Sequence, residues 1–473
     1  MPGLLTRSAL ATLVVGLLVY AVLPYIYPHY KLLPDLDPRA PSNTVLVPGE
    51  LHDTGPEVND SKFGESFARF FELGEGEETD EPVIEEQSSE ETPELSDESE
   101  DSGESLNSTD VGYASLGAKL IVLSKAKAQK AGALCLNGLP PGYYYRPGWG
   151  LGARSWIVFL RGGEGCPTEK ECYLRSKTSL GSVHKSRKWR RLGGIMSGDK
   201  QRNPEFHNWN GVSLIYCDGF SFAGDRLSPM VYNGTEMYSR GRRVLDAIFT
   251  DLLRSGMAGA ERVILFGHSA GGLGALLNSD RLRRLLPPGV DFKLLVISFL
   301  QPKFPQGSYA RGVKKLLQNM ATIHNISGTL PSDCVKNYPS KEHACLLPSI
   351  LIPLQSVAAF YVNSVYDRWS MGNLLRIRCE PNRCKKSKTR NKLQGWSAAF
   401  AEQVPSMLKP NDGVFVANCV THMIALDDRT WFSTKVGGKT IAEAFGDWYF
   451  GRGYNHTHLD CFSLDCYPNP TCA

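Results

Sequence analysis

Glu261–Asp280 reads ERVILFGHSAGGLGALLNSD. An apolar, β-branched run leads into Gly267-His268-Ser269-Ala270-Gly271, and a leucine- and alanine-rich stretch suited to a helix follows. Glycine on both flanks lets the chain turn sharply from strand to helix without a Cβ clash, so that Ser269 projects at the helix N-terminus. The backbone N–H of Ala270 then faces the charge that develops on a carbonyl oxygen attacked by Ser269. A serine between glycines is uninformative alone; between a strand and a helix it reads as a nucleophile.

The segments around it supply the fold. Ser155–Leu160, Val212–Cys217, Arg262–Phe266, Lys293–Phe299, Ala359–Ser364 and Val414–Asn418 read as strands. Between them Arg240–Ser255 carries Val244, Ile248, Leu252 and Leu253 at helical spacing, and Leu273–Leu286 reads as a second helix. Alternating strands and helices without internal repeats predict an α/β chain, an α/β-hydrolase-like three-layer sandwich with a mainly parallel central sheet.

A nucleophilic serine needs a base and an acid, which in this fold follow it in the order serine, acid, histidine. His422 ends VFVANCVTH just beyond a strand, whereas His456 and His458 sit in a Gly/Asn/Cys-rich tail and read as surface residues. Asp367, in FYVNSVYDRW, follows a strand end and precedes His422; Asp412, Asp427 and Asp428 read as turn residues. Ser269, Asp367 and His422 are therefore the expected catalytic residues. A glycine-rich loop after an early strand completes an oxyanion hole. Here it is Arg161-Gly162-Gly163-Glu164-Gly165-Cys166, with the backbone N–H groups of Gly163 and Glu164 joining that of Ala270.

The remainder of the 473 residues divides by charge. Glu50–Asp110 holds 22 acidic residues against two basic ones, whereas Val111 onward holds 47 basic against 25 acidic, so a near-neutral total conceals opposed blocks. The acidic block has little to bury and reads as a disordered stalk; a sharper reading has it competing with an anionic ligand for the basic domain. With 42% hydrophobic residues, 8 Trp and 46 Gly, the whole chain is neither disordered, collagenous nor a coiled coil. Ala9–Tyr27 is an uncharged apolar run preceded by Arg7 and ending in bulky residues, which suits an uncleaved signal anchor better than a cleaved signal peptide.

The expected organisation is a cytoplasmic tail at 1–8, a transmembrane signal anchor at 9–27, the stalk at 28–110 and one catalytic domain at 111–473, lumenal or extracellular at the Golgi or cell surface. All 12 cysteines lie between Cys135 and Cys472, which favours disulfides; Cys166 with Cys172, Cys334 with Cys345, and the set Cys461, Cys466 and Cys472 are near enough for local pairs. Acceptor sequons at Asn59, Asn107, Asn233, Asn325 and Asn455 fit the same route. No metal, cofactor or nucleic-acid partner is expected, and the basic runs Lys185–Arg191 and Lys385–Lys392 read as solvated loops.

Several blocks, LRSKTSLGS (Leu174–Ser182), Asn203–Asp225, GHSAGG (Gly267–Gly272), VNSVYDRW (Val362–Trp369), FVANCVTH (Phe415–His422), KTIAEAFGDWYF (Lys439–Phe450) and CYPNPTC (Cys466–Cys472), are collinear with one family. The chain resembles the plant-type pectin acetylesterases, a family shared with animal Notum-type carboxylesterases. The resemblance spans about Lys125 to Cys472 and places nucleophile, acid and base on Ser269, Asp367 and His422. It implies an acetylated pectic polysaccharide as substrate, cleaved through an acyl-enzyme without cofactor. The alternatives are a Notum-like enzyme removing a fatty acyl group from a protein, and a non-catalytic polysaccharide-binding scaffold. Where the family loop typically reads L-E-G-G-G-W-C, this chain has Arg161 for the acid and Gly165 for the aromatic; S-D-A-G-F-F appears as Val296–Gln301. The triad is thus expected to be kept while the wall of the acyl pocket is lost.

Overall fold

The computed structural model describes residues 117–303 and 308–472. The apolar run at 9–27 and the acidic block at 50–110 lie outside them, and among the described residues no helix is long and apolar enough to cross a membrane.

Ten strands build one sheet: β1 Ala118–Val122, β2 Gly142–Arg146, β3 Ser155–Leu160, β4 Trp189–Arg190, β5 Asn210–Leu214, β6 Arg262–His268, β7 Asp291–Ile297, β8 Ala359–Ser364, β9 Gly413–Ala417 and β10 Thr457–Leu459. Their order is β10-β9-β8-β7-β6-β3-β5-β2-β1-β4. From β10 to β5 all pairings are parallel, and β2, β1 and β4 add an antiparallel flank. The mainly parallel sheet expected from the sequence is present.

The central strands carry apolar residues on both sides because both faces are covered. In β6, Val263 and Leu265 enter one core while Ile264 and Phe266 enter the other; in β7, Leu294 and Val296 oppose Leu295 and Ile297 in the same way. Against the first face pack α1 (Gly241–Arg254) through Val244, Ile248 and Leu252, α2 (Ala270–Leu285) through Ala275 and Leu276, and the long helix Ser387–Met407 through Leu393, Trp396 and Phe400. Against the second pack Ile441, Ala444 and Phe445 of Ile441–Tyr449, a helix started by a Thr440–Glu443 capping box. These are the three layers.

Two basic runs differ from expectation. Lys385–Lys392 is no loop beyond Lys386, since Ser387–Met407 is helical, and Lys185–Arg191 contributes the edge strand β4. Lysine and arginine are good helix formers, and the apolar seam Leu393, Trp396, Phe400 that fixes the helix begins only after the charged run. All twelve cysteines are paired: 135–217, 166–172, 334–345, 379–384, 419–472 and 461–466.

The tightest packing in the sheet is at the β6–α2 turn. A Cβ on Gly271 would overlap the Leu160 carbonyl oxygen of β3, and one on Gly267 would overlap the carbonyl of Gly271. Backbone cannot yield as a flexible side chain does, so Gly271→Ala is expected to cost about 3 kcal/mol or more. Gly259→Ala, with nothing within 4 Å of the added carbon, is the control. Denaturant unfolding checks the pair, and equal midpoints would refute the close approach as a constraint.

Candidate active site

Five strand ends converge on one spot, the C-terminal edge of the parallel sheet where open α/β folds place their ligands. Ser269 follows β6, Ser298 follows β7, Asp367 follows β8 by three residues, His422 follows β9 by five and Glu164 follows β3 by four. Ser269 caps α2 at φ 55° and ψ −122°, a conformation rare for a residue with a Cβ. Its N–H donates to Ile297 O at 2.9 Å and its carbonyl accepts from Leu273 N at 3.1 Å, so ladder and helix fix it from both sides.

The structure brings Ser269, His422 and Asp367 into one hydrogen-bonded chain. His422 Nε2 lies 2.9 Å from Ser269 Oγ and His422 Nδ1 2.6 Å from Asp367 Oδ2. A carboxylate accepts only, so Nδ1 carries the proton and Nε2 is free to take one from the serine. The other Asp367 oxygen accepts from the Ser370 N–H at 2.7 Å, which anchors the buried carboxylate from its own following turn. Burial pulls the His422 imidazole down, but Asp367 beside it, with help from Glu164, stabilises the charged form and the balance lies above the ordinary value of 6.5.

Two residues absent from the sequence reading hold His422 in place. Its carbonyl accepts from His268 Nε2 at 2.8 Å and from Ser298 Oγ at 2.8 Å. Burial first, and then the neighbouring His422, push His268 down to about 3, so it is a neutral donor with its proton on Nε2. The available signal was a polar side chain at the end of each of two otherwise apolar strands.

Of the expected oxyanion donors, Glu164 and Ala270 border the cavity beside Ser269, and Gly163 precedes Glu164 on the same loop, where an added Cβ would meet Leu180 and Tyr216. The Gly163 carbonyl accepts from Arg175 and the Glu164 carbonyl from the Tyr216 hydroxyl, which ties the loop down through groups that cannot donate to an oxyanion. The Glu164 side chain turns inward: one carboxylate oxygen accepts from the Trp369 indole N–H, and burial raises the carboxyl to about 7 despite that bond and nearby Arg175.

The cavity measures about 140 Å³ and is walled by Leu273, Phe299, Val313, Leu316, Met320 and other apolar side chains. This corrects the expectation of a missing wall. Beside Leu273 and Phe299, the wall comes from α3 (Ser308–His324) and Leu346–Pro348, far along the chain from the loop Arg161–Cys166. A second cavity of about 310 Å³ lies behind it and shares Val313, Leu317, Leu347, Pro348 and Leu374 with the first. His456 and His458, expected at the surface, lie half-buried near the edge strand β10, away from this site.

Residues 114–473 match the family model described as Pectinacetylesterase. Pectin acetylesterase 5 of Arabidopsis thaliana is 32% identical over 364 residues, covering 73% of this chain and 83% of that protein. Pectin acetylesterase 11 of the same plant is 31% identical, covering 76% of this chain and 94% of that protein. The palmitoleoyl-protein carboxylesterase Notum of Schmidtea mediterranea is 28% identical over 66% of this chain and 60% of its own length. Among solved structures, the Wnt deacylase Notum from Drosophila has the same fold, with a TM-score of 0.62, 21% identity, and coverage of 76% of this chain and 99% of that one.

The geometry at His422 makes a prediction that needs no substrate. Followed by NMR, the imidazole is expected to titrate above 6.5, and in Asp367→Asn below it, because burial then loses its main opponent. An unmoved midpoint would show that Asp367 does not govern the histidine.

Proposed function

The chain belongs to the pectinacetylesterase family, and from that premise we propose that it is a serine esterase that hydrolyses O-acetyl esters of a pectic polysaccharide through an acyl-enzyme. The observation that carries the reading is the Ser269–His422–Asp367 hydrogen-bonded chain beside the cavity. Ser269 Oγ attacks the acyl carbon while its proton passes to His422 Nε2, and Asp367 stabilises the resulting imidazolium. The Ala270 N–H at the start of α2, together with the Glu164 N–H, receives the oxyanion. Collapse expels the sugar hydroxyl, which recovers the proton from His422. Water then attacks the acyl-Ser269 ester, His422 again taking and returning the proton, and acetate leaves.

Twelve paired cysteines suit an oxidising compartment, so the catalytic domain at 111–473 is assigned to the lumenal or extracellular side, carried by the anchor at 9–27 and the acidic stalk at 28–110. The excess of basic residues after Val111 would draw in anionic polymer chains.

A second reading is favoured by one observation. The cavity is lined by far more hydrocarbon than a two-carbon acyl group can cover, and it abuts a second apolar cavity, as an enzyme for longer acyl chains requires. Each additional methylene buried is worth about 0.8 kcal/mol, or roughly fourfold in kcat/KM.

One experiment separates the readings. The domain from Val111, produced in an oxidising host, is assayed for acetate release from acetylated pectin and on phenyl esters from acetyl to decanoyl. The first reading expects release from pectin and no gain with chain length; the second expects the roughly fourfold rise per methylene and inert pectin. Ser269→Ala is expected to lose at least about a thousandfold and Asp367→Asn about 10⁴-fold on whichever substrate is turned over. Full activity in Ser269→Ala would end both.

A further inference from the structure

Of the described residues that line the cavity, two are ionisable: His422 and Glu164. The histidine is accounted for by the proton transfer. The carboxyl is not, since the expected role of residue 164 uses its backbone N–H alone. An acid inside a hydrocarbon wall is costly unless something demands it.

Its placement is held at several points. Glu164 has φ 55°, the left-handed region that side-chain-bearing residues seldom occupy. Its carbonyl is fixed by the Tyr216 hydroxyl, its side chain by the Trp369 indole, and the next residue, Gly165, bridges to Phe220. The charged and titratable groups around it come from three elements: Arg175 and Glu171 from the helix Glu169–Ser176, Tyr216 from just beyond β5, and His422 from the loop after β9. Arg175 is directed elsewhere, donating to the Gly163 carbonyl and stacking 5.2 Å over the Tyr216 ring. The Glu164 carboxyl therefore lies at the cavity wall against Trp369, and among the described residues no cation is paired to it inside the cavity.

We propose that the Glu164 side chain is a specificity-determining residue that excludes negatively charged acyl groups from the cavity and admits neutral and cationic ones. Two like charges a few ångströms apart in a site sheltered from water repel by a few kcal/mol at an effective dielectric constant near 20, enough for discrimination of tenfold or more. A carboxyl raised to about 7 is charged above that pH and neutral below it, so the exclusion of anions relaxes as the solution is acidified. The inference rests on the esterase reading of the same site and adds the charge class of its acyl group.

The test compares three 4-nitrophenyl esters of similar length: pentanoyl, which is neutral, succinyl, which is anionic, and 4-aminobutyryl, which is cationic. They are run with wild type, Glu164→Gln and Glu164→Asp, all checked for native circular dichroism. The Gln oxygen still accepts from Trp369, so the wall is preserved. In wild type the pentanoyl-to-succinyl ratio of kcat/KM is expected to rise between pH 6 and 8. In Glu164→Gln it is expected to fall by at least about tenfold and lose that pH dependence, while the preference for 4-aminobutyryl over succinyl collapses with it. Glu164→Asp is expected to keep the wild-type order. An active wild type whose ratios match those of Glu164→Gln overturns this inference alone, as does a uniform slowing of all three esters. A wild type active on the 4-nitrophenyl acetyl ester but on none of the three overturns this inference alone, and one inactive on the acetyl ester as well overturns the esterase reading, and this inference with it.

Discussion

Everything at this site depends on how closely one helix approaches one sheet. Gly271 sits against the Leu160 carbonyl so tightly that no side chain fits between them. That contact brings the start of α2 over the end of β3, and it brings the Ser269 turn beside the loop that carries Glu164. Ala270 at the start of the helix and Glu164 on the loop thereby border the same cavity. The strain in Ser269, at φ 55°, is the local cost of this arrangement. It is sustained by the ladder bond to Ile297 and by the buried apolar faces of β6 and β7, which cannot shift without opening both cores.

How much of this could be read from the chain depends on whether the signal is local. The central strands are visible because burial on both faces concentrates consecutive apolar residues in them; Ser155–Leu160 and Ala359–Ser364 are placed to the residue. The antiparallel flank is not visible. GYYYR follows two prolines and alternates weakly, and β4 is two exposed residues inside a basic run. Ser269, Asp367 and His422 stand in strand-end contexts that a serine mechanism makes conspicuous, and the fold brings them within hydrogen-bond reach.

Residues that act by contact across the sheet leave no such trace. His268 and Ser298 matter because their side chains meet the carbonyl of His422, 154 and 124 residues away in sequence. The cavity wall is invisible for the same reason. The departing loop Arg161–Cys166 suggested that a wall had been lost, whereas much of the hydrocarbon is supplied by α3 and Leu346–Pro348, far from that loop in sequence, together with Leu273 and Phe299. The contacts that fix the loop itself, Arg175 to the Gly163 carbonyl and the Tyr216 hydroxyl to the Glu164 carbonyl, likewise join residues far apart in sequence.

The bridge between Cys419 and Cys472 has a consequence in time. Cys419 lies three residues before His422, and its partner comes 53 residues later, beyond β10 and the Cys461–Cys466 loop. The nucleophile turn at Ser269 is completed by neighbouring strands long before that partner is made. Of Ser269, Asp367 and His422, His422 is the one whose flanking segment is tied last, because the thiol that pairs with Cys419 comes 53 residues after it and must first be synthesised and oxidised. Until the 419–472 bridge closes, the His422 segment is held by its hydrogen bonds to His268, Ser298 and Asp367 without a covalent tie.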